Sequence, residues 1–339
     1  MLMYDIITFG SATWDIFLKP KKIQTVTGKK FLTGKGICFN LGSKVEIEKI
    51  FFSSGGGGTN TATTFTNQGF KTAYCGSIGS DLAGQAISSE LKSYGIDERF
   101  IRATEAAPTN HSIVISGLKE DRTIFVYRGA SEILDNDDIP WQELKAKWFY
   151  LAPLSGKLCG LFNDIVNFAV ENKIRVAANP GNCQLSMPPE KLEEILKKVD
   201  ILILNQEEAS TLTKIPYDKE FEIFKKIDEI CPGIAIMTKG PLGVVVSDGE
   251  YLYKSGILKS KVVDRTGAGD SFAAGFVSGF IQKNGDIEYA MQLGAANSTA
   301  CLKEWGAKKG LLKKGEKFAK IKVEKESCLK NNFCQYKIK

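Results

Sequence analysis

From residue 147 onward the sequence alternates short apolar runs with helical patterns, and this alternation limits the fold more than any other feature. Trp148 to Ala152 reads as a strand, Leu158 to Val170 as a helix and Ile174 to Ala178 as a strand. Lys191 to Lys198 reads as a helix, and Ile201 to Leu204 and Ile234 to Met237 as further strands. Strands separated by helices in this way pair in parallel, with helices on both faces of the sheet. The expected class is therefore α/β, with a mostly parallel central sheet. Ligands of such sheets collect beyond the C-terminal ends of the strands, so residues that follow each strand are the first candidates for function.

The N-terminal half fits the same sheet. Asp5 to Phe9 is a buried first strand ending at Gly10-Ser11, and Asp15 lies just past it. Lys71 to Gly76 is another strand, followed by a turn in which Asp81 caps a helix. Two stretches do not belong to the sheet. Residues 16 to 53 mix Lys, Gly and β-branched residues without helical period. Ile113–Ser116 and Arg122–Tyr127 alternate around Lys119-Glu120-Asp121 as a hairpin. Together, about 14–53 and 106–130 are expected to form a small β lid on one body spanning 1–312. Residues 313–339 are a basic tail in which Ile321 and Val323 alternate with lysines, as an edge strand would.

Two glycine-rich turns stand before helices. The first, Gly55-Gly56-Gly57-Gly58-Thr59-Asn60, leads into Ala62 and Phe65. Four glycines at a helix start suit close approach of backbone to a ligand. The second is Gly267-Ala268-Gly269-Asp270, after an expected strand over Ile257 to Val263 and before Phe272, Phe276 and Phe280 at helical spacing. A helix start offers unpaired N–H groups and the positive end of its dipole, so Gly267, Ala268 and Gly269 form a cradle for a phosphate or for the charge of a phosphoryl transition state. A carboxylate in such a cradle has a suitable task in taking the proton of an attacking hydroxyl, and Asp270 is the candidate base. No Gly-x-x-x-x-Gly-Lys-Ser/Thr occurs, and Phe272 stands where a dinucleotide fingerprint needs glycine, so P-loop and Rossmann sites are set aside.

The run Asp264-Arg265-Thr266-Gly267-Ala268-Gly269-Asp270-Ser271-Phe272 resembles the C-terminal signature of the ribokinase-like, or phosphofructokinase-B, carbohydrate kinases. Arg265 departs from it, since that family usually has Thr there. Gly55, Gly56 and Asn60 match the family's Gly-Gly-x-x-x-Asn element. Asn205-Gln206-Glu207-Glu208 matches its Asn-x-x-Glu motif, and Thr238-Lys239-Gly240-Pro241-Leu242-Gly243 its Thr-x-Gly-x-x-Gly nucleotide loop. The motifs follow the family's order to about residue 310.

The resemblance implies an ATP-dependent kinase that passes the γ-phosphate to a hydroxyl of a small sugar, a pentose or hexose. A nucleoside kinase on the same fold is the alternative, and a non-catalytic sugar or nucleotide sensor is an alternative of another class. By the same resemblance Asp270 is the base, with Gly267 to Gly269 as anion hole. Asp15, Gly56, Gly57 and Asn60 bind the acceptor, while Asn205, Glu208, Thr238, Gly240, Gly243 and Thr266 bind the nucleotide. Magnesium accompanies ATP, placed by Glu208 through water, and a monovalent cation has a place near Asp264. Arg128, on the lid's return path, reads as exposed.

Composition bears on partners and compartment. Eight cysteines are scattered with no Cys-x-x-Cys, and there is a single histidine, His111, so neither a zinc site nor a secreted disulfide framework is expected. A reduced, cytoplasmic protein follows. The net charge of +6 is carried by the last 29 residues, with nine lysines and three glutamates from Leu311 on, which leaves the body balanced. Nucleic acid and membrane are not expected partners; ATP and a small sugar or nucleoside are, with a homodimer contact through the lid.

Overall fold

The structure is a computed structural model that describes residues 3–29, 34–116 and 122–327. Strand β1 (Tyr4–Phe9) is followed by β2 (Thr13–Pro20), β3 (Gln24–Thr27), β4 (Lys35–Cys38) and β5 (Ile47–Gly55), then helix α1 (Gly57–Asn67). Next come β6 (Thr72–Gly79), α2 (Leu82–Ser93), β7 (Asp97–Thr104), β8 (Asn110–Ser116) and β9 (Arg122–Tyr127). The alternating part holds β10 (Ala146–Leu151), α3 (Gly156–Gly160), α4 (Phe162–Glu171), β11 (Arg175–Ala178), α5 (Asn182–Leu185) and α6 (Pro189–Leu196). It continues through β12 (Ile201–Asn205), α7 (Gln206–Thr213), α8 (Glu220–Ile230) and β13 (Ile234–Thr238). Strands β14 (Val244–Ser247) and β15 (Tyr251–Ser255), helices α9 (Ala268–Gln282) and α10 (Ile287–Cys301), and β16 (Val323–Ser327) complete the chain.

Ten strands form one sheet in the order β16-β15-β14-β13-β12-β11-β10-β1-β6-β7. From β13 to β7 every pairing is parallel; β14, β15 and β16 add an antiparallel edge. Alternate residues of one strand serve opposite faces, because strand side chains have a period of two. In β10, Phe149 and Leu151 pack with Ile165, Ile195 and Ile227 of α4, α6 and α8. Trp148 and Tyr150 pack on the other face with Phe65 of α1 and Phe276 of α9. Both faces are thereby covered, as the apolar strand sequences require.

A second sheet, β5-β2-β8-β9, stands over the C-terminal ends of the parallel strands, and β3 and β4 form a separate ribbon. This is the lid. The hairpin turn expected at 119–121 lies outside the described residues.

Several boundaries differ from those expected. Ile257 to Val263 is not a strand. Strand β15, which precedes this segment, is already paired on both sides, by β14 and β16, so the segment cannot pair beside it. The helix expected over Leu158 to Val170 breaks at Leu161 into α3 and α4. Helix α1 begins at Gly57, before Asn60, so Gly57 and Gly58 lie in its first turn, while Gly56 caps it and Gly55 ends β5. Cys159 and Cys183 form a disulfide joining α3 to α5, against the expectation of reduced cysteines; among the described residues Cys38, Cys75, Cys231 and Cys301 are not in disulfides.

Beyond residue 312 the chain stays on the body. The Lys314 N–H donates to Asn67 O at 2.8 Å, Ile321 is 9% exposed in the core, and β16 closes the sheet edge against β15. Among the described residues no helix is long and apolar enough to cross a membrane.

Candidate active site

Two helix N-termini meet at the C-terminal edge of the sheet. Gly267, left-handed at φ 74°, precedes the fifteen residues of α9. A Cβ on Gly267 would lie 2.2 Å from the Cβ of Ala307, so only glycine fits the turn. A Cβ on Gly269 would meet nothing within 4 Å. That face of the first turn is open, as a helix start that receives an anion requires; the Ala268 N–H makes a long bond to Arg265 O at 3.4 Å.

Asp270 is the third residue of α9. Its Oδ2 accepts from Asn60 Nδ2 at 2.8 Å, a bond between residues 210 apart in sequence. Gly57 brings the head of α1 to the same point, since a Cβ there would lie 3.8 Å from Asp270 Oδ1 and 2.9 Å from the Cβ of Ala152. Burial raises the Asp270 carboxyl above its ordinary range, and the Asn60 bond partly opposes this. Asn60 is 4% exposed, and its Oδ1 is buried without a partner. A buried acceptor of this kind is costly unless something binds it, which suits a substrate hydroxyl.

Asp15 comes from the lid. It lies on β2, 6% exposed, and accepts from the Ser112 hydroxyl of β8 in a short bond. Gly55 leaves room for it, because a Cβ there would overlap its carboxylate. Gly56, at φ 95°, turns the chain from β5 into α1 against Ser11 O. Burial, with help from the charges of Asp264 and Asp270, lifts the Asp15 pKa to about 6, while Ser112 and Lys308 work against the shift. The residues expected to bind the acceptor, Asp15, Gly56, Gly57 and Asn60, are thus gathered at one place with Asp270.

Of the residues expected to bind nucleotide, Thr238, Gly240 and Gly243 come together around one cavity, whereas Asn205, Glu208 and Thr266 do not line it. A cavity of about 520 Å³ is lined by Thr238, Gly240 and Gly243 from one wall and by Ala268 and Gly269 from the other, with Leu258 and Phe272 supplying apolar surface. The segment wrongly expected to be a strand supplies Ile257, Leu258, Ser260 and Val262 to this wall. Arg265 lines it too, beside the amide cradle.

Asn205 and Glu208 make a reciprocal cap on α7. Asn205 Oδ1 accepts from the Glu208 N–H, and Glu208 Oε2 accepts from the Asn205 N–H, both at 2.8 Å. Burial raises the Glu208 carboxyl, and the charge of Asp270 pushes it the same way, so the two acids share a field. Thr266 uses its hydroxyl on Asp264 Oδ1 at 2.9 Å, which shapes the turn ahead of the cradle. Asp264 Oδ2 also accepts from the Gly306 N–H at 3.1 Å. Among the described residues no group of three His, Cys, Asp or Glu side chains could hold a metal. A divalent ion bound mainly by phosphate oxygens and water, with one carboxylate behind the water, fits this donor set.

Other sequence readings resolve simply. Asp81 caps α2 and binds Thr109, a structural role. His111 Nδ1 lies 2.8 Å from Thr109 O. Arg128 is exposed. Ser112 and Arg122 were not singled out. Both sit on lid strands whose partners only the folded sheet reveals, although strand parity would have set Ser112 beside Asp15 once β2 and β8 were known to pair.

Comparison with known proteins bears on the family and the fold. Residues 32–314 match the pfkB family of carbohydrate kinases. A ribokinase of Lactococcus lactis is 30% identical over 292 residues, covering 84% of this chain and 90% of that one. The structure superposes on Arabidopsis thaliana ribokinase complexed with ribose and ATP with a TM-score of 0.74 and 22% identity, covering 92% of this chain and 96% of that one. A nucleoside kinase of Methanocaldococcus jannaschii, an archaeal member of the ribokinase family, gives 0.73 at 22% identity, covering 91% and 95%. The ribokinase-like fold accounts for the large sheet, and the chain is a member of the pfkB family of carbohydrate kinases.

Proposed function

We propose that the protein transfers the γ-phosphate of ATP to a hydroxyl of a small neutral sugar of the pentose or hexose class. The observation that carries this reading is the bond from Asn60 to Asp270, which joins the head of the acceptor-side helix to the base at the head of the phosphate-side helix. Asp15 and the unpartnered Asn60 Oδ1 offer two acceptors to ring hydroxyls. Asp270 takes the proton of the attacking hydroxyl, and the amides of Gly267 to Gly269 stabilise charge on the transferred group. Glu208 would hold magnesium through water; bound there, the ion would neutralise the phosphates of ATP. A potassium ion beside Asp264 would add to the bonds that Thr266 and Gly306 already make, and exchange of potassium for tetramethylammonium measures its share. The cytoplasm is the compartment we propose, because ATP is supplied there.

Placement of the lid aromatics favours a sugar over a nucleoside. A base needs a flat apolar slot on which to stack. Phe17 is 2% exposed and packs on Phe51 and Trp305. Phe125 and Tyr127 register with Ile113 and His111, the parity opposite to Asp15 and Ser112, so they stand on the outer face. The exposed Phe52, Ile113 and Phe125 are cross-strand neighbours through Ile16 on that face, which is where a homodimer contact through the lid would form.

The test is kcat/KM for ribose, fructose, 2-keto-3-deoxygluconate, adenosine and cytidine with ATP and magnesium. A sugar is expected to lead. A nucleoside ahead of every sugar by more than about a hundredfold, the discrimination that a few pocket contacts supply, refutes the sugar reading.

A further inference from the structure

The turn that follows α10 is clamped against the lid. Trp305 packs edge-on against Phe17 of β2, with ring centroids 6.0 Å apart. Gly306, at φ 80°, runs so close to β5 that a Cβ there would stand 2.8 Å from the Ser53 hydroxyl oxygen. Lys309 Nζ lies 4.4 Å from the centre of the Phe51 ring. Between these anchors Lys308 is 2% exposed, and its ammonium donates to the Ser54 hydroxyl in a short bond. A fully buried lysine is rare, and its charge is costly unless other charge answers it. Ser54 accepts from one of its three N–H groups and brings no charge.

Asp15 and Glu90 are the acids whose charges act on Lys308. Glu90, on α2, is half-buried, whereas Asp15 is 6% exposed; charges taken out of water are screened least. One strand joins Lys308 to Asp15. Ser54 stands between Ser53, which pairs with Asp15 across β5 and β2, and Gly55, where a Cβ would overlap the Asp15 carboxylate. Ser112 donates to that carboxylate from β8. Asp264, before α9, and Asp270, in its first turn, repel its charge. Arg122 of β9 is turned to Asp264, at 3.9 Å. Lys308 is the cation set against this acidic ground. Its own pKa is lowered by burial to about 8, so it carries its charge at neutral pH.

Resting on the kinase reading above, we propose that Lys308 is a positioning residue: from the far face of β5, its buried ammonium keeps Asp15 a carboxylate that accepts from the acceptor's hydroxyls. Lys308 touches no substrate and acts through Asp15. An ionised carboxylate offers only acceptor sites, while a protonated one presents a donor to a hydroxyl that must itself donate. Acceptor binding by the wild type should be constant above the Asp15 pKa of about 6 and weaken as pH falls through it. Without the ammonium the carboxyl holds its proton more readily, so the same weakening should begin at higher pH.

The experiment uses the full chain with Lys308→Met and Lys308→Gln, which remove the charge, and Lys308→Arg, which keeps it. Acceptor KM and kcat are measured with ATP, magnesium and the best acceptor of the panel from about pH 5.5 to about 7.5, below the pH at which Lys308 gives up its proton. The Asp15 carboxyl is titrated directly by ¹³C NMR of labelled aspartate, its signal assigned with Asp15→Asn. In both neutral variants the Asp15 midpoint should rise by about one pH unit, the size of one nearby opposite charge. Acceptor KM should then exceed the wild-type value about eightfold near pH 5.5 and less than about twofold near pH 7.5, with ATP KM and kcat within about threefold. Lys308→Arg should restore the wild-type midpoint. A lysine that only fills space under the lid would raise acceptor KM by one factor at every pH and leave the Asp15 midpoint where it was. Either of those results overturns the proposal. If both neutral variants fail to fold while Lys308→Arg folds, the charge serves the fold and the positioning role is rejected. If the wild type phosphorylates no acceptor, the kinase reading fails by itself, and the Asp15 midpoint still judges Lys308.

Discussion

Asp270→Asn is expected to lower kcat by about 10²–10⁴-fold, the contribution of a positioned general base, while folding and ATP binding stay near wild type. The two side chains have the same shape, and the amide oxygen can still accept from Asn60. What is lost is the capacity to take a proton. Because burial lifts the wild-type carboxyl above its ordinary pKa of 3.8, the wild-type rate should fall as the pH drops through that raised value, as the base fills with a proton. The small residual rate of the variant should lack this limb. Steady-state rates across pH and calorimetry with ATP check both statements; a wild-type rate in the variant would remove Asp270 from the mechanism.

Gly269→Val should separate folding from nucleotide binding. A Cβ at Gly269 enters open space, and that space is the wall of the 520 Å³ cavity. The branched side chain then stands where the backbone would meet a phosphate. An overpacking cost of about 1–3 kcal/mol corresponds to an ATP affinity lower by about 10–100-fold, with acceptor affinity retained. Gly267→Val is the contrasting case. Its Cβ would collide with Ala307 in a left-handed turn, so this variant should lose thermal stability first. Calorimetry and thermal melting on the two variants distinguish them. Normal ATP affinity in Gly269→Val would mean that the phosphates lie elsewhere.

The features legible in the sequence were those written within one turn of chain. Gly267 to Asp270 states its geometry locally, since small residues and a carboxylate at a helix start can do few things. Asn60 was legible for the same reason, although its helix begins earlier than the glycines suggest. Packing of α1 against Gly10 and Tyr74 makes glycine the residue that fits there, overriding its poor helix propensity. Ile257 to Val263 was misread because β-branched residues alternate with lysines there, while a strand also needs a partner beside it, and both sides of the preceding β15 are taken. The Cys159–Cys183 pair joins residues 24 apart with no spacing signature to announce it. The reach of Arg122 to Asp264 spans lid and body, and no local pattern encodes it.

The central claim is that this cleft moves the γ-phosphate of ATP onto a sugar hydroxyl. The direct measurement is the fate of γ-labelled ATP incubated with the protein, magnesium and each acceptor of the panel. The account predicts label in a sugar phosphomonoester, formed one-to-one with ADP, and almost none with Asp270→Asn. Label that stays in ATP with every acceptor, or that appears only as inorganic phosphate, would contradict it.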